Sequence, residues 1–308
     1  MLSRIAESLF WIGRYVERAD GTARILDVHL ERLNNLPEFQ QERISRDLLA
    51  LVGTHAGPEP VSREVLLRTL AYDAFNPASI AGSLSAAREN ARRARETVSS
   101  SLWEGLNTTY YGINRHRQDL VGAFGFCHWV LERSAVITGL ADSTVSHDES
   151  WLFLMLGRSL ERADMTARML STRDLLSGGI SWVHMLRCAG AYESFLRNSG
   201  GSSGDRNAAE FLLLDRLFPR SIVYALRDAE DCLAKLDPSS QRVGFIDDAR
   251  RIVGQARTFL EFHRTDNLLE ELPEHMDRVQ KAVAQASEAI SLKYFNQAKE
   301  LEWIGEVS

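Results

Sequence analysis

"GRYVERADGTAR" occupies residues 13–24, and "GRSLERADMTAR" occupies residues 157–168 of the same chain. Over Trp11 to Leu26 against Met155 to Leu170, ten of sixteen positions are identical, where ordinary residue frequencies would give roughly one. Read at helical spacing, Ile12, Val16, Ala19, Ala23, Leu26 and Leu30 fall on one side of the first copy and form an apolar face. Glu17, Asp20 and Arg24 fall opposite, on a stripe shared with Gly13. In the second copy Gly157 stands beside Glu161, Asp164 and Arg168 in the same way. A mid-helix glycine costs about 1 kcal/mol relative to alanine, so a glycine kept twice on a charged stripe implies that something approaches it closely.

The charges are spaced to interact. Asp20 with Arg24 and Asp164 with Arg168 are four residues apart, and Arg14 with Glu17 and Arg158 with Glu161 are three apart. Exposed pairs of that kind contribute only a few tenths of a kcal/mol. Three readings follow: a buried polar clasp that fixes helix register, a ligand or partner site, and a solvated face. If the close neighbour were a partner, Gly13→Leu would harm association before it harmed helix formation.

A second pair of phrases extends the repeat. "LAYDAFNPASIAGSL" (70–84) aligns with "LLLDRLFPRSIVYAL" (212–226), 142 residues on, close to the 144 that separate Gly13 from Gly157. This predicts tandem units over 1–143 and 144–308 that pack about an approximate two-fold axis. Asn76 reads as a helix cap with Pro77 in first position and Ser79 in the first turn. Pro219, Arg220 and Ser221 start the later helix, and Arg220 adds a cation that could hold an anion there.

Helical periodicity runs through nearly the whole chain and predicts an all-α fold. The strongest segments are 5–34, 63–75, 78–106, 117–140, 149–175, 182–198, 208–217, 221–236, 245–266 and 274–293. The net charge of −6 argues against nucleic-acid binding. The run Arg88, Arg92, Arg93 and Arg95, interleaved with Glu89 and Glu96, reads as a solvated helix face. Three cysteines without a CxxC pair, and a start without a long apolar core, point to a reduced, cytoplasmic setting away from membranes.

No Gly-Lys dipeptide and no GxGxxG is present, and the histidines show no HExxH, so no nucleotide or metal cofactor is called for. Gly200, Ser202 and Gly204 match GxSxG only within a polar loop. The remaining enzymatic possibility gathers Glu17, Asp20, Glu161 and Asp164 between the two units. Arginine stands where a di-metal bundle would place histidine, which favours a carboxylate or zwitterionic ligand over a metal.

"WIGRYVERAD" (11–20), "RENARRARETVSSSLWEGLN" (88–107) and "FLLLDRLFPRSI" (211–222) resemble the alpha-E family of bacterial α-helical proteins, known for a recurrent Glu-Arg pair. The pair corresponds to Glu17-Arg18 and again to Glu161-Arg162. Trp103, Glu104 and Asn107 match the family's Trp-Glu-x-x-Asn stretch. The tail after about Lys293 is less characteristic. Such proteins are usually found beside a circularly permuted ATP-grasp ligase and a transglutaminase-like protease, sometimes with a proteasome-like hydrolase. The resemblance therefore implies a helical partner of an amide- or peptide-ligase system, positioning the ligase or its acceptor substrate. The alternatives are an enzyme that uses the acid-arginine cluster and a purely structural scaffold.

Overall fold

The computed structural model describes residues 1–34, 36–54, 56–118, 122–172, 181–198, 204–238 and 247–295; Gly200 and Ser202 of the GxSxG match lie outside them. Among the described residues every regular element is helical, and no strand is present. No helix among them is long and apolar enough to cross a membrane.

Helix α1 (Ser3–Leu33) is buried on nearly every side. It lies against α4 (Ile80–Arg93) and α6 (Gly122–Thr144), and α5 (Ser100–Gln118) packs on both of those. Helix α7 (Glu149–Ser171) lies against α11 (Ile222–Leu236) and α14 (Leu272–Ile290), and α12 (Asp248–Phe262) packs on both of those. The most extensive contact joins α1 to α7. A single apolar cluster runs from Ile5 to Ile290 through all of these helices.

Shorter helices complete the packing. They are α2 (Glu38–Leu51), α3 (Arg63–Leu67), α8 (Trp182–Cys188), α9 (Tyr192–Asn198), α10 (Asp205–Leu214) and α13 (Thr265–Glu270). A π-helical turn over Arg68–Tyr72 follows α3, and another over Ser291–Phe295 follows α14. In the second, Phe295 sets its ring against Phe10 of α1.

Several boundaries differ from the periodicity. The apolar spacing at Ile44, Leu48 and Leu51 builds α2, a helix that the strongest segments omit. The segment 78–106 is two helices, because the Ser99 hydroxyl accepts the Leu102 N–H and starts α5 afresh. The segment 182–198 is also broken, since Gly190 takes a left-handed φ of +62°. Arg95 is exposed with its neighbours, but Arg88 turns inward, away from the solvated face expected for the run. It lies over the rings of Trp103 and Tyr110 and donates to the Asn107 side chain at 3.1 Å.

The helix caps are also reassigned. Ser79, not Asn76, caps α4: its hydroxyl accepts the Gly82 N–H and donates to the Asp73 carbonyl. Asn76 instead accepts the Ala78 N–H in an Asx turn. Ser221 does for α11 what Ser79 does for α4, accepting from Tyr224 N–H and donating to the Asp215 carbonyl.

Candidate functional site

The glycines decide how α1 and α7 meet. A Cβ on Gly13 would sit 2.0 Å from the Leu154 carbonyl oxygen, and one on Gly157 would sit 2.0 Å from that of Phe10. No side chain fits in either place, so the two backbones touch. Farther along, Gly21 faces Met165, so contacts advance together and the helices run parallel. The apolar face of α1 is buried as expected; its charged stripe is buried too, because it faces α7.

This crossing brings the charges together across the helices. Arg14 Nε meets Glu161 Oε2 at 2.5 Å, and Arg18 Nε meets Glu161 Oε1 at 2.6 Å. In the opposite sense, Arg162 Nε lies 3.0 Å from Glu17 Oε2. The expected Arg14–Glu17 and Arg158–Glu161 pairs along each helix do not form. Arg14 reaches across to Glu161 and to Ser287 of α14, while Arg158 extends toward Asp142 of α6 at 3.5 Å. The pairs Asp20–Arg24 and Asp164–Arg168 do form, each at 2.8 Å.

Arg220 supplies a further cation from the start of α11. Its Nε meets Glu17 Oε1 at 2.9 Å and its Nη2 meets Asp20 Oδ2 at 2.6 Å. Thr166 of α7 donates to the Arg220 carbonyl and holds this corner down. The anion expected at this helix start is thus the chain's own pair of carboxylates, and Ser221 is an ordinary cap.

The last arginine of each charged stripe ends beside a helix terminus. Helix α8 closes with Gly190 N–H to Arg187 O and Ala191 N–H to Leu186 O, and Arg24 Nη1 lies 2.7 Å from where a Gly190 Cβ would be. Helix α2 closes with Gly53 N–H to Ala50 O and Thr54 N–H to Leu49 O, and Arg168 Nη1 lies near Gly53. Cations there face the negative end of the helix dipole.

Burial alone would raise the carboxyl of Glu161, but Arg14 and Arg18 outweigh it and hold the group down at about 2. Glu17 is lowered in the same way, with Arg162, Arg220 and Arg158 overcoming burial. Asp164 goes the other way, because burial and the nearby Glu161 charge exceed the pull of Arg168. Both glutamates are therefore fixed anions, neutralised by neighbours. The opening beside Glu17, Arg162 and Arg220 holds about 20 Å³, room for roughly one water.

The four acids do not assemble as a metal site; among the described residues no three His, Cys, Asp or Glu side chains come together as a possible metal site. Burial pushes the thiols of Cys127, Cys188 and Cys232 up to about 12, so none is a ready nucleophile. Ser287 and Asp142 join the cluster without any signal in the sequence, since only the tertiary packing of α14 and α6 brings them near.

A sequence profile described as a predicted alpha-helical domain with a conserved ER motif matches residues 1–295. The chain belongs to this family, Alpha-E. Two Glu-Arg pairs stand in this Alpha-E chain, Glu17-Arg18 and Glu161-Arg162, and all four side chains take part in the cross-helix clasp. Uncharacterized proteins of Mycobacterium bovis and of two Mycobacterium tuberculosis strains are 25% identical to it over 268 residues, 77% of this chain. The chain spans about 30% of the length of those relatives. No solved structure matches it.

Proposed function

We propose that this Alpha-E chain is a non-catalytic helical partner of an ATP-grasp amide or peptide ligase, holding that enzyme or its acceptor substrate in place. The observation that carries this reading is the consumption of the charged stripe. Glu17, Glu161, Asp20 and Asp164 are all committed to arginines of the same chain, in a crossing with no room for a substrate. Such a clasp fixes one arrangement of helices and leaves chemistry to another protein. The much greater length of the mycobacterial relatives supports a unit that works alongside further sequence.

We further propose that residues 1–143 and 144–308 are duplicated units related by an approximate two-fold axis. Support comes from the reciprocal Gly13 and Gly157 contacts, the Ser79 and Ser221 caps, and the packing of α4, α5 and α6 around α1 as α11, α12 and α14 pack around α7. The functional reading is tested by co-expressing the chain with a circularly permuted ATP-grasp ligase, with ATP consumption and amide formation then measured with and without this chain. Co-purification and a dependence of amide formation on the chain are expected. A ligase equally active alone, with no association, would overturn the proposal, and turnover by this chain alone would revive the acid-arginine cluster as an active site.

A further inference from the structure

Two further arginines, Arg115 and Arg133, lie away from the clasp. Between α5 and α6 is a pocket of about 440 Å³, within the range of small-molecule sites. Arg133 of α6 enters it half-buried, bonded only to neutral groups: its Nε donates to Thr109 Oγ1 at 3.0 Å and its Nη2 to the Gly105 carbonyl at 3.4 Å. Arg115, across the pocket on α5, is exposed. Among the described residues neither arginine has a carboxylate partner, and no acid lines the pocket.

Asn107 and Thr108 add polar side chains to the lining. Arg88 donates to the side-chain oxygen of Asn107, so what Asn107 has left to offer a ligand is its amide N–H groups. One wall is aromatic. The Trp129 ring lies against α5 at Gly112, where a Cβ would come within 2.6 Å of it, and stacks on His116 with centroids 4.4 Å apart. The larger groove between α12 and α14 is different, because acids line it: Arg251 pairs with Asp248 and Lys281 with Asp277, and Glu274 and Glu288 stand beside them.

A half-buried Arg133 bonded only to neutral groups, with Arg115 across the pocket and no acid among the described lining residues, marks a place where the anion comes from outside. We propose that the α5–α6 pocket binds an oxyanion, carboxylate or phosphate, on a small molecule whose planar part lies along Trp129. Arg133 and Arg115 hold the anion, Asn107 and Thr108 orient it, and Gly112 gives the ring its seat. The inference is independent of the ligase partnership and stands or falls by itself.

The test follows the Trp129 indole N–H resonance, assigned from Trp129→Phe, while phenyl phosphate, benzoate or neutral benzamide is added to the full chain. Saturable movement with at least one of the two anions, and none with benzamide, is expected; the stronger anion identifies the oxyanion. Arg133→Gln and Arg115→Gln should each weaken binding about tenfold, while Arg92→Gln, on an exposed pair with Glu89, should leave it unchanged. Since Arg115 is exposed, its variant keeps the test decisive if Arg133→Gln fails to fold. An indole unmoved by both anions, an equal response to benzamide, or Arg115→Gln binding like the parent would overturn the proposal.

Discussion

Arg18 holds Glu161 in a two-pronged grip, Nε to Oε1 at 2.6 Å and Nη2 to Oε2 at 2.9 Å, across the parallel crossing of α1 and α7. The carboxylate is 1% exposed and also accepts from Arg14. Glu161→Gln leaves the buried Arg14 and the partly buried Arg18 without their anion and should cost about 3–5 kcal/mol, read as a lower midpoint in denaturant. Asp164→Asn should cost much less. Its carboxyl is already raised by burial and by Glu161, and its partner Arg168 is 32% exposed and can turn to water.

The glycine crossing predicts a contrast within one residue type. Gly13→Ala and Gly157→Ala gain about 1 kcal/mol of helix propensity but drive a methyl into a carbonyl oxygen of the facing helix. Both should be net destabilising, by several kcal/mol for so rigid a neighbour. Gly139→Ala, on the exposed side of α6 with nothing nearby, should stabilise instead. Thermal melts of the three variants decide this, and equal, small effects would mean that the helices can separate at little cost. The close neighbour of Gly13 is α7 of the same chain, so Gly13→Leu is expected to damage folding itself, not association alone.

His29 predicts the acid limb of stability. It is 1% exposed on α1, and burial, followed by the charges of Arg32 and His184, lowers it from 6.5 to about 3. The unfolded chain takes up a proton below pH 6.5 that the folded chain refuses until about pH 3. The stability tied to this group is therefore complete above pH 6.5 and falls by about 1.4 kcal/mol per pH unit between those values. Glu161 acts lower, losing its contribution only as pH falls from 4.5 through about 2. In His29→Leu the slope between pH 6.5 and 4 should flatten by about 3 kcal/mol in total, measured by denaturant titration at each pH. An unchanged slope would assign acid sensitivity elsewhere.

Arg220 predicts an asymmetry between the two halves of the clasp. It bonds Glu17 and Asp20, whereas Ala78 stands at the matching place in the earlier phrase. Arg220→Gln should cost about 3 kcal/mol or more, and it should cost less in the Glu17→Gln background. An equal cost in both backgrounds, in a denaturant series, would separate Arg220 from the clasp.

Helix type, the central phrase and its close approach were legible because each is periodic or repeated: the glycines stood on a charged stripe where local propensity alone disfavours them. The direction of the ion pairs was not legible. Arg14 and Glu17 are suitably spaced along one helix, yet the crossing offers Arg14 the buried Glu161, a stronger partner in a drier place. Arg88 is similar. Sequence placed it in a solvated run, and only the packing of α5 on α4 shows Trp103 and Tyr110 beneath it. Helix α2 was missed because its apolar positions are few and its mean character is polar.

The clasp requires Arg18 and Glu161 to be energetically joined across α1 and α7, and a double-mutant cycle measures that directly. Arg18→Gln, Glu161→Gln and the double variant are compared with the parent by denaturant unfolding. A coupling of about 1.5 kcal/mol or more, with the double variant costing less than its parts together, is predicted. Costs that add to within about 0.5 kcal/mol would show that the two Glu-Arg helices do not hold each other, and would contradict the clasp.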